Sequence, residues 1–354
     1  MSKQFKRIGV LTSGGDAPGM NAAVRSVCRA ALDKGVEVMG IYEGYKGLIH
    51  KNMKLFNPRD VSNIINLGGT VLYSDRCLEF KTEEGIMKAV NTCRENGIDG
   101  IVAIGGDGTF RGATDLTLHG VPCIGIPGTI DNDITSTDYT IGYDTAMNTV
   151  IAMVDRLRDT CESHARCNVV EVMGRNCGYI ALNAGIATGA SVIVLKEIDF
   201  DEAAAIAKIK KAKSEGKRNF IVMVAEGVDN FAEGFANRIQ EETGIETKFA
   251  RLAHVVRGGS PTLTDRVCAS EMGVAAVDLL LEGKSNLVIC KHDNKIVPMD
   301  ISFALTLDSM YKGTLKEGAL DKFSKEDIEK MKAFIERRLD NMKYLYNIAN
   351  EISS

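Results

Sequence analysis

The 354-residue chain has no tryptophan, and aromatic residues make up only 6% of it, too few for surfaces that stack nucleic-acid bases. A basic excess is missing as well. Forty-three Lys and Arg stand against 47 Asp and Glu, for a formal net charge of −4, whereas nucleic-acid binders usually carry a basic stripe. No nucleic-acid partner is expected. No stretch approaches 18 apolar residues, so no membrane span is expected either. The apolar run around Ile8–Leu11 is too short for the core of a signal peptide. The nine cysteines form no CxxC pair and no Cys/His zinc spacing. Their odd number, without a leader, reads as reduced thiols in the cytoplasm. Only six prolines are present, with no Pro/Ser-rich linker, internal repeat or low-complexity segment.

What is present is ordinary globular material. Hydrophobic residues make up 45% and charged residues 25%, and the length suits about two domains. Short β-branched runs alternate with longer amphipathic segments. Arg7–Thr12, Val36–Ile41, Gly100–Ile104, Cys123–Ile126, Asn168–Val172, Val192–Leu195, Asn219–Ala225 and Leu287–Cys290 read as strands. Met20–Lys34, Thr82–Asn96, Asp144–Thr160, Asp201–Ser214 and Thr262–Glu282 read as helices. Several strands are nearly continuous apolar runs, as strands buried on both faces should be. The expected class is α/β with open, mostly parallel, doubly wound sheets. Ser324 and Asp327 mark a further helix start, with Ile328, Met331, Ile335, Leu339, Met342 and Leu345 at helical spacing after it.

Three glycine-rich segments follow predicted strands. They are Thr12 to Gly19, Gly105-Gly106-Asp107-Gly108-Thr109, and Pro127-Gly128-Thr129-Ile130-Asp131-Asn132-Asp133. Loops at the carboxyl ends of parallel strands are where open α/β sheets bind ligands. Glycines there let backbone N–H groups approach phosphate oxygens, helped by the positive end of the next helix. Familiar nucleotide signatures fail on spacing. Gly283-Lys284-Ser285 lacks the P-loop glycine, since position 278 is Asp, and no strict GxGxxG occurs. Asp131-Asn132-Asp133 starts like a calcium loop, but Ser136 stands where glycine is required. Phosphoryl transfer needs a metal ion, cations and a residue to activate the nucleophile. Asp107 suits the metal, and Asp131 and Asp133, two apart, suit base and ordering roles. Arg76, Arg166, Arg175, Lys248 and Arg257 are candidate cations in or beside loops.

With Val-Met-Gly-Arg at 172–175 and Arg-Gly-Gly-Ser-Pro at 257–261, these motifs make the sequence resemble the bacterial ATP-dependent 6-phosphofructokinases from about residue 5 to residue 310. The resemblance implies transfer of the γ-phosphoryl of ATP to the 1-hydroxyl of fructose 6-phosphate, with Mg2+, in a cytoplasmic homotetramer whose active sites are shared between subunits. It implies a larger ATP-binding domain over 1–140 and 258–306 and a smaller sugar-phosphate domain over 141–257. A C-terminal segment, 307–354, carries the extra helix. Gly15, Arg76, Cys77, Gly106, Asp107, Gly108 and Thr109 would contact ATP, with Asp107 on the metal. Asp131 would take the proton from the sugar hydroxyl, and Thr129 and Arg175 would hold the transferring group. Ile130, Met173, Gly174 and Glu226 would position the sugar. His254, Val255, Val256, Arg257, Lys248 and Arg166 would surround its 6-phosphate, Arg166 reaching in from a neighbouring subunit.

The sequence departs from the family pattern in places. Lys248 replaces a second cross-subunit arginine, keeping the charge but losing the bidentate fork. Arg25, Arg29, Arg158 and Lys217 match effector-site cations, whereas Pro58, Ser191 and Glu215 do not match the cation or carboxylate expected there. Weak control by ADP and phosphoenolpyruvate is therefore expected. A pyrophosphate-dependent phosphofructokinase is the nearest alternative, but such members carry Asp and Lys where this chain has Gly108 and Gly128. Other kinases with a Gly-Gly-Asp-Gly-Thr loop, acting on NAD or lipids, leave 172–175 and 257–261 unexplained. A non-catalytic regulatory subunit is at odds with intact Asp107, Asp131 and Arg175.

Overall fold

The computed structural model describes residues 5–353. The chain divides into two compact units, Met1–Thr145 with Arg257–Ile328, and Ala146–Val256 with Glu329–Ser354. The stretch 307–354 is divided between them, its first part clustering with the first unit and the rest with the second.

The first unit holds strands β1 (Arg7–Thr12), β2 (Glu37–Ile41), β3 (Met53–Phe56), β4 (Gly100–Gly105) and β5 (Cys123–Pro127). Its helices up to that point are α1 (Met20–Asp33), α2 (Gly44–His50), α3 (Glu83–Glu95) and α4 (Asp107–Leu118). Helix α5 (Tyr143–His164) leads into the second unit, which contains β6 (Cys167–Val172), α6 (Tyr179–Ala187), β7 (Val192–Val194), α7 (Glu202–Ser214), β8 (Phe220–Ala225), α8 (Phe231–Thr243) and β9 (Thr247–Arg251). The chain then returns through α9 (Leu263–Leu281), β10 (Leu287–His292), β11 (Lys295–Asp300) and α10 (Ile301–Tyr311), and ends in α11 (Lys325–Ile352).

The seven strands of the first sheet are ordered β11-β10-β5-β4-β1-β2-β3. All neighbours are parallel except the two edges, where β3 and β11 pair antiparallel. The second sheet, β7-β8-β6-β9, is parallel throughout. Strands β4, β5, β6 and β8 are buried along their whole length, which is why they read as unbroken apolar runs. Phe110, Leu116, Ile101 and Ile41 are fully buried in the first core, and Phe220 and Phe235 are likewise fully or almost fully buried in the second, each contributing roughly 1.5–3 kcal/mol by leaving water.

Helix starts follow local chemistry. Thr82, Asp201 and Asp300 each accept a hydrogen bond from the backbone N–H three residues on, satisfying one of the orphan donors of a helix terminus. Ser324 and Asp327 exchange such bonds at the start of α11, Asp327 N donating to Ser324 Oγ at 3.1 Å and Ser324 N to Asp327 Oδ2 at 3.3 Å, as the sequence predicts. Asp265 does a different job. Fully buried near the start of α9, its carboxylate accepts from Gly142 N at 2.6 Å, Thr145 N at 2.9 Å and the Tyr139 hydroxyl at 2.6 Å. It ties the segment where the chain leaves the first unit to the helix on which it returns.

The eight predicted strands and five predicted helices all form, with ends shifted by a few residues at most. The sequence reading misses β3, β9 and β11, and α2, α6, α8 and α10, and it expects a helix after Gly105–Thr109 without giving it bounds, where α4 forms. Strands β3, β9 and β11 are edge strands with largely exposed side chains, so they lack the apolar signature. Helix α6 has the opposite problem. It is apolar nearly all round and mostly buried, so it shows no helical alternation of polar and apolar faces.

Candidate active site

In the first sheet β5, β4 and β1 are neighbours, and all three run parallel. Their carboxyl-terminal loops, the three glycine-rich segments, therefore emerge side by side. The chain order also reverses between β4 and β1, the topological switch point where open sheets leave a crevice. Hydrogen bonds lock the loops together. Ser13 N donates to Ile104 O at 3.0 Å, Thr109 Oγ1 to Ser13 O at 3.0 Å, and Gly128 N to Gly105 O at 3.0 Å. Gly105 makes this possible, since a Cβ there would lie 2.3 Å from Ser13 O. Ser74 Oγ donates to Gly14 O, which brings the segment carrying Arg76 and Cys77 beside the first loop. Arg257 reaches the same loop, its Nη1 donating to Asp16 O at 3.2 Å and lying 2.6 Å from where a Cβ on Gly15 would be. Thr129 is held from behind by the Thr140 hydroxyl, which donates to its carbonyl at 2.6 Å, and Asp131 N donates to Thr129 Oγ1 at 3.3 Å.

The charges of these loops meet α10. Lys312, just past its end, lies 2.8 Å from Asp107 Oδ2 and 3.1 Å from Asp133 Oδ2. Burial works to lower the Lys312 pKa, but Asp133, Asp107 and Asp308 together raise it above its ordinary value. Asp308, one turn earlier, is fully buried and accepts from Thr135 N at 2.5 Å. Burial first, and then the negative charge of Asp107, push its carboxyl well above the usual range. Asp107 Oδ1 is buried and accepts from no ordinary donor. A carboxylate oxygen so placed, at the N-terminus of α4, fits a divalent cation. A Cβ at Gly106 or Gly108 would meet nothing within 4 Å, and neither residue has positive φ. Packing and backbone conformation leave both glycines unexplained. Lys312 and Asp308 escape the sequence reading because an Asp and a Lys four apart look like an ordinary pair on a helix surface.

In the second unit, β6, β8 and β9 are adjacent and parallel, and their carboxyl ends carry Met173–Arg175, Glu226 and the turn Ala253–Arg257 that contains His254 and Val255. Glu226 N donates to Val172 O at 2.9 Å, and Leu252 N to Glu171 O at 3.0 Å. Gly227 is needed here, because a Cβ would lie 2.5 Å from the Arg175 carbonyl. Met173 and Gly174 are buried, whereas Arg175 and His254 are exposed. Ile130, in the first unit, and Val256 are fully buried, so their side chains serve the cores and only their backbone is available to a ligand. Arg166 and Lys248 lie at the opposite edge of this sheet, where β6 and β9 begin. Both pair with Glu246, at 2.7 and 2.9 Å, and their hydrogen bonds hold its pKa down at about 2. Strands of five or six residues separate the two edges by roughly 15–20 Å.

The residues matching effector cations are dispersed over both units. Arg25 and Arg29 share α1, with Arg29 donating to Pro58 O at 3.2 Å. Arg158 donates to Asn219 Oδ1 at 2.9 Å and to Thr188 O, and Lys217 to Ser353 O at 3.4 Å. Burial, and then the charge of Arg158, lower the Lys217 pKa. Ser191 is buried, its hydroxyl without a partner. No helix among the described residues is long and apolar enough to cross a membrane.

Sheet order, the loops at the switch point and their acidic residues define a phosphoryl-transfer fold, and comparison with known proteins places it. The phosphofructokinase family model matches residues 7–280, and the chain belongs to that family. It is 54% identical over 297 residues to the ATP-dependent 6-phosphofructokinase of Bacillus subtilis, a match covering 84% of this chain and 93% of that protein. The ATP-dependent 6-phosphofructokinase 1 of Clostridium perfringens is 52% identical over 315 residues, covering 89% and 98%. Among solved structures, phosphofructokinase from Saccharomyces cerevisiae superposes with a TM-score of 0.83 at 35% identity, over 93% of this chain. This chain spans half the length of the yeast protein. A pyrophosphate-dependent phosphofructokinase from Marinobacter aquaeolei shares the fold, with a TM-score of 0.75 at 21% identity.

Proposed function

We propose that this chain is an ATP-dependent 6-phosphofructokinase, transferring the γ-phosphoryl of ATP to the 1-hydroxyl of fructose 6-phosphate. The observation that carries the reading is the side-by-side emergence of the three Gly/Asp loops from β5, β4 and β1. In this reading the first unit binds ATP and the second the sugar phosphate. Gly15, Arg76, Cys77, Gly106, Gly108 and Thr109 line the nucleotide, and Asp107 holds the Mg2+ that accompanies it. When bound, that ion supplies charge neutralisation for the phosphates. Asp131 accepts the proton of the attacking hydroxyl, and Thr129 and Arg175 hold the moving phosphoryl group. Met173, Gly174 and Glu226 orient the sugar, and His254 and Arg257 hold its 6-phosphate. Such a site works by positioning and fixed charge rather than covalent chemistry.

The open space at Gly108 supports ATP as donor. A carboxylate there would repel nucleotide phosphates, and glycine leaves room for them. The position of Arg166 and Lys248 supports a homotetramer with shared sites. Lying at the opposite sheet edge from His254 and Arg175, these two cations reach a 6-phosphate most simply from a neighbouring copy. A coupled assay with fructose 6-phosphate and either ATP or pyrophosphate under matched magnesium tests the reading. Faster turnover with pyrophosphate, or none with either donor, would refute it.

A further inference from the structure

Helix α11 buries Met331, Arg338, Met342 and Ala349 and exposes much of the rest. Their spacing makes one stripe along the helix, the usual docking face of a surface helix. Three of the four are apolar or small, and the fourth is an arginine only 9% exposed. Docking alone does not call for a buried guanidinium, which is costly to remove from water unless paired.

Arg338 makes three contacts with one short segment, Cys177 to Tyr179. Its guanidinium carbon stands 4.8 Å from the centroid of the Tyr179 ring, a cation–π contact. Its Nη2 lies 3.8 Å from Cys177 Sγ, and its backbone carbonyl accepts from the Tyr179 hydroxyl at 3.1 Å. A countercharge is close to the same segment. Glu197 Oε1 accepts from Gly178 N at 2.8 Å, and Oε2 is buried without a partner. The Cys177 thiol is pushed up to about 11 by burial, with Arg338 opposing and Glu197 adding to the shift.

Residues 177–179 join the Met173–Asn176 loop to α6. Cys177 N donates back to Gly174 O at 3.4 Å, so the turn is tight. On another side the Arg175 carbonyl rests against Gly227. The loop that presents Arg175 is thus held between the end of β8 and the C-terminal helix.

We propose that Arg338 is a positioning residue, through which α11 sets the orientation of the Met173–Arg175 loop for the sugar phosphate. The kinetic part of this claim rests on the functional reading above; the ordering of the loop by Arg338 does not. The test uses the full chain carrying Arg338→Leu, Arg338→Lys or Tyr179→Phe. Two readouts are needed. Peptide-resolved alkylation of Cys177 and amide exchange over residues 174–179 report loop order without reference to any reaction. Steady-state kinetics report the Michaelis constants for fructose 6-phosphate and ATP separately.

Arg338→Leu should raise Cys177 alkylation and the fructose 6-phosphate constant each by about 10-fold, as small misplacements of binding groups do, with the ATP constant unchanged. Arg338→Lys retains a cation over Tyr179 and should stay within about 3-fold of wild type in both readouts. Tyr179→Phe, which keeps the ring under the guanidinium but deletes the hydroxyl and its hydrogen bond to the Arg338 carbonyl, should fall between. Unaltered Cys177 reactivity in Arg338→Leu would overturn the proposal. So would a loosened loop with unchanged sugar kinetics, or Michaelis constants for sugar and ATP rising together. If the wild type failed to phosphorylate fructose 6-phosphate, alkylation and exchange would still decide whether Arg338 orders the loop, so the two claims fail separately.

Discussion

The loops of the two units hold their charges in different ways. In the first unit Asp107, Asp133 and Lys312 satisfy one another inside the fold, and Arg257 is tied to the backbone of the first loop. In the second unit Arg175 and His254 are exposed, and what is fixed is the backbone beneath them, by Gly227 on one side and by Arg338, through residues 177–179, on another. The first arrangement presents an electrostatic field that needs little reorganisation, as the stabilisation of a transferring phosphoryl group requires. The second presents orientation, leaving the exposed side chains free to close on a ligand.

Substitutions can break this contrast at chosen points. Asp131→Asn should lower the turnover number by about 10²–10⁴, the usual worth of a positioned base. The Michaelis constant for fructose 6-phosphate should move far less, because proton removal belongs to the transition state; steady-state assays check both. Lys312→Met strands Asp107 and Asp133 without their shared cation and should cost about 3 kcal/mol in urea unfolding, as breaking a buried ion pair does. Adding Asp107→Asn should recover part of that loss, giving a non-zero coupling in a double-mutant cycle.

Gly108→Asp should leave thermal stability nearly unchanged, since its Cβ would meet no protein atom. It should reduce kcat/KM for ATP by about 10-fold or more through charge repulsion. Smaller effects are expected in the second unit. Lys248→Arg should tighten fructose 6-phosphate binding by about 1 kcal/mol if a second charge-assisted bond forms, and Lys248→Ala should weaken it, both read by titration calorimetry. Smallest of all should be regulation. Millimolar phosphoenolpyruvate or ADP should shift the fructose 6-phosphate saturation curve by less than about 2-fold, because a ligand that scarcely binds cannot move an equilibrium between states. A strong shift abolished by Arg25→Ala or Arg158→Ala would refute this.

Much of the fold was legible because buried parallel strands and capped amphipathic helices announce themselves. The Ser324–Asp327 start of α11 and the runs at 100–104 and 219–225 are examples. Elements whose burial is not periodic stayed hidden, such as the exposed edge strand β11 and the wholly apolar α6. Helix α4 was expected after Gly105–Thr109, but its bounds could not be read. Its glycines and threonines are poor helix formers, and it forms where Gly106 hands the chain from β4 directly into Asp107. The candidate loops could be read directly, because Gly and Asp together at strand ends have few structural uses. Lys312, Asp308 and Arg338 could not, since their roles arise only when distant segments pack against 107, 133 and 177–179.

The Asp265 tether has a consequence for how the chain is made. It joins the points where the chain leaves and rejoins the first unit, and α1 packs on α9, with Ser26 Oγ donating to Ser270 O at 2.7 Å across 244 positions. On the ribosome β5 therefore emerges long before β10, which will cover its edge. At about 5–20 residues per second the delay over roughly 160 residues is about 8–30 s. Through that interval β5 stands as an open sheet edge, and the second sheet, whose strands all lie within 146–256, can form first. The order of synthesis thus favours a second sheet that is complete before the first one closes, with α11 added to its unit last.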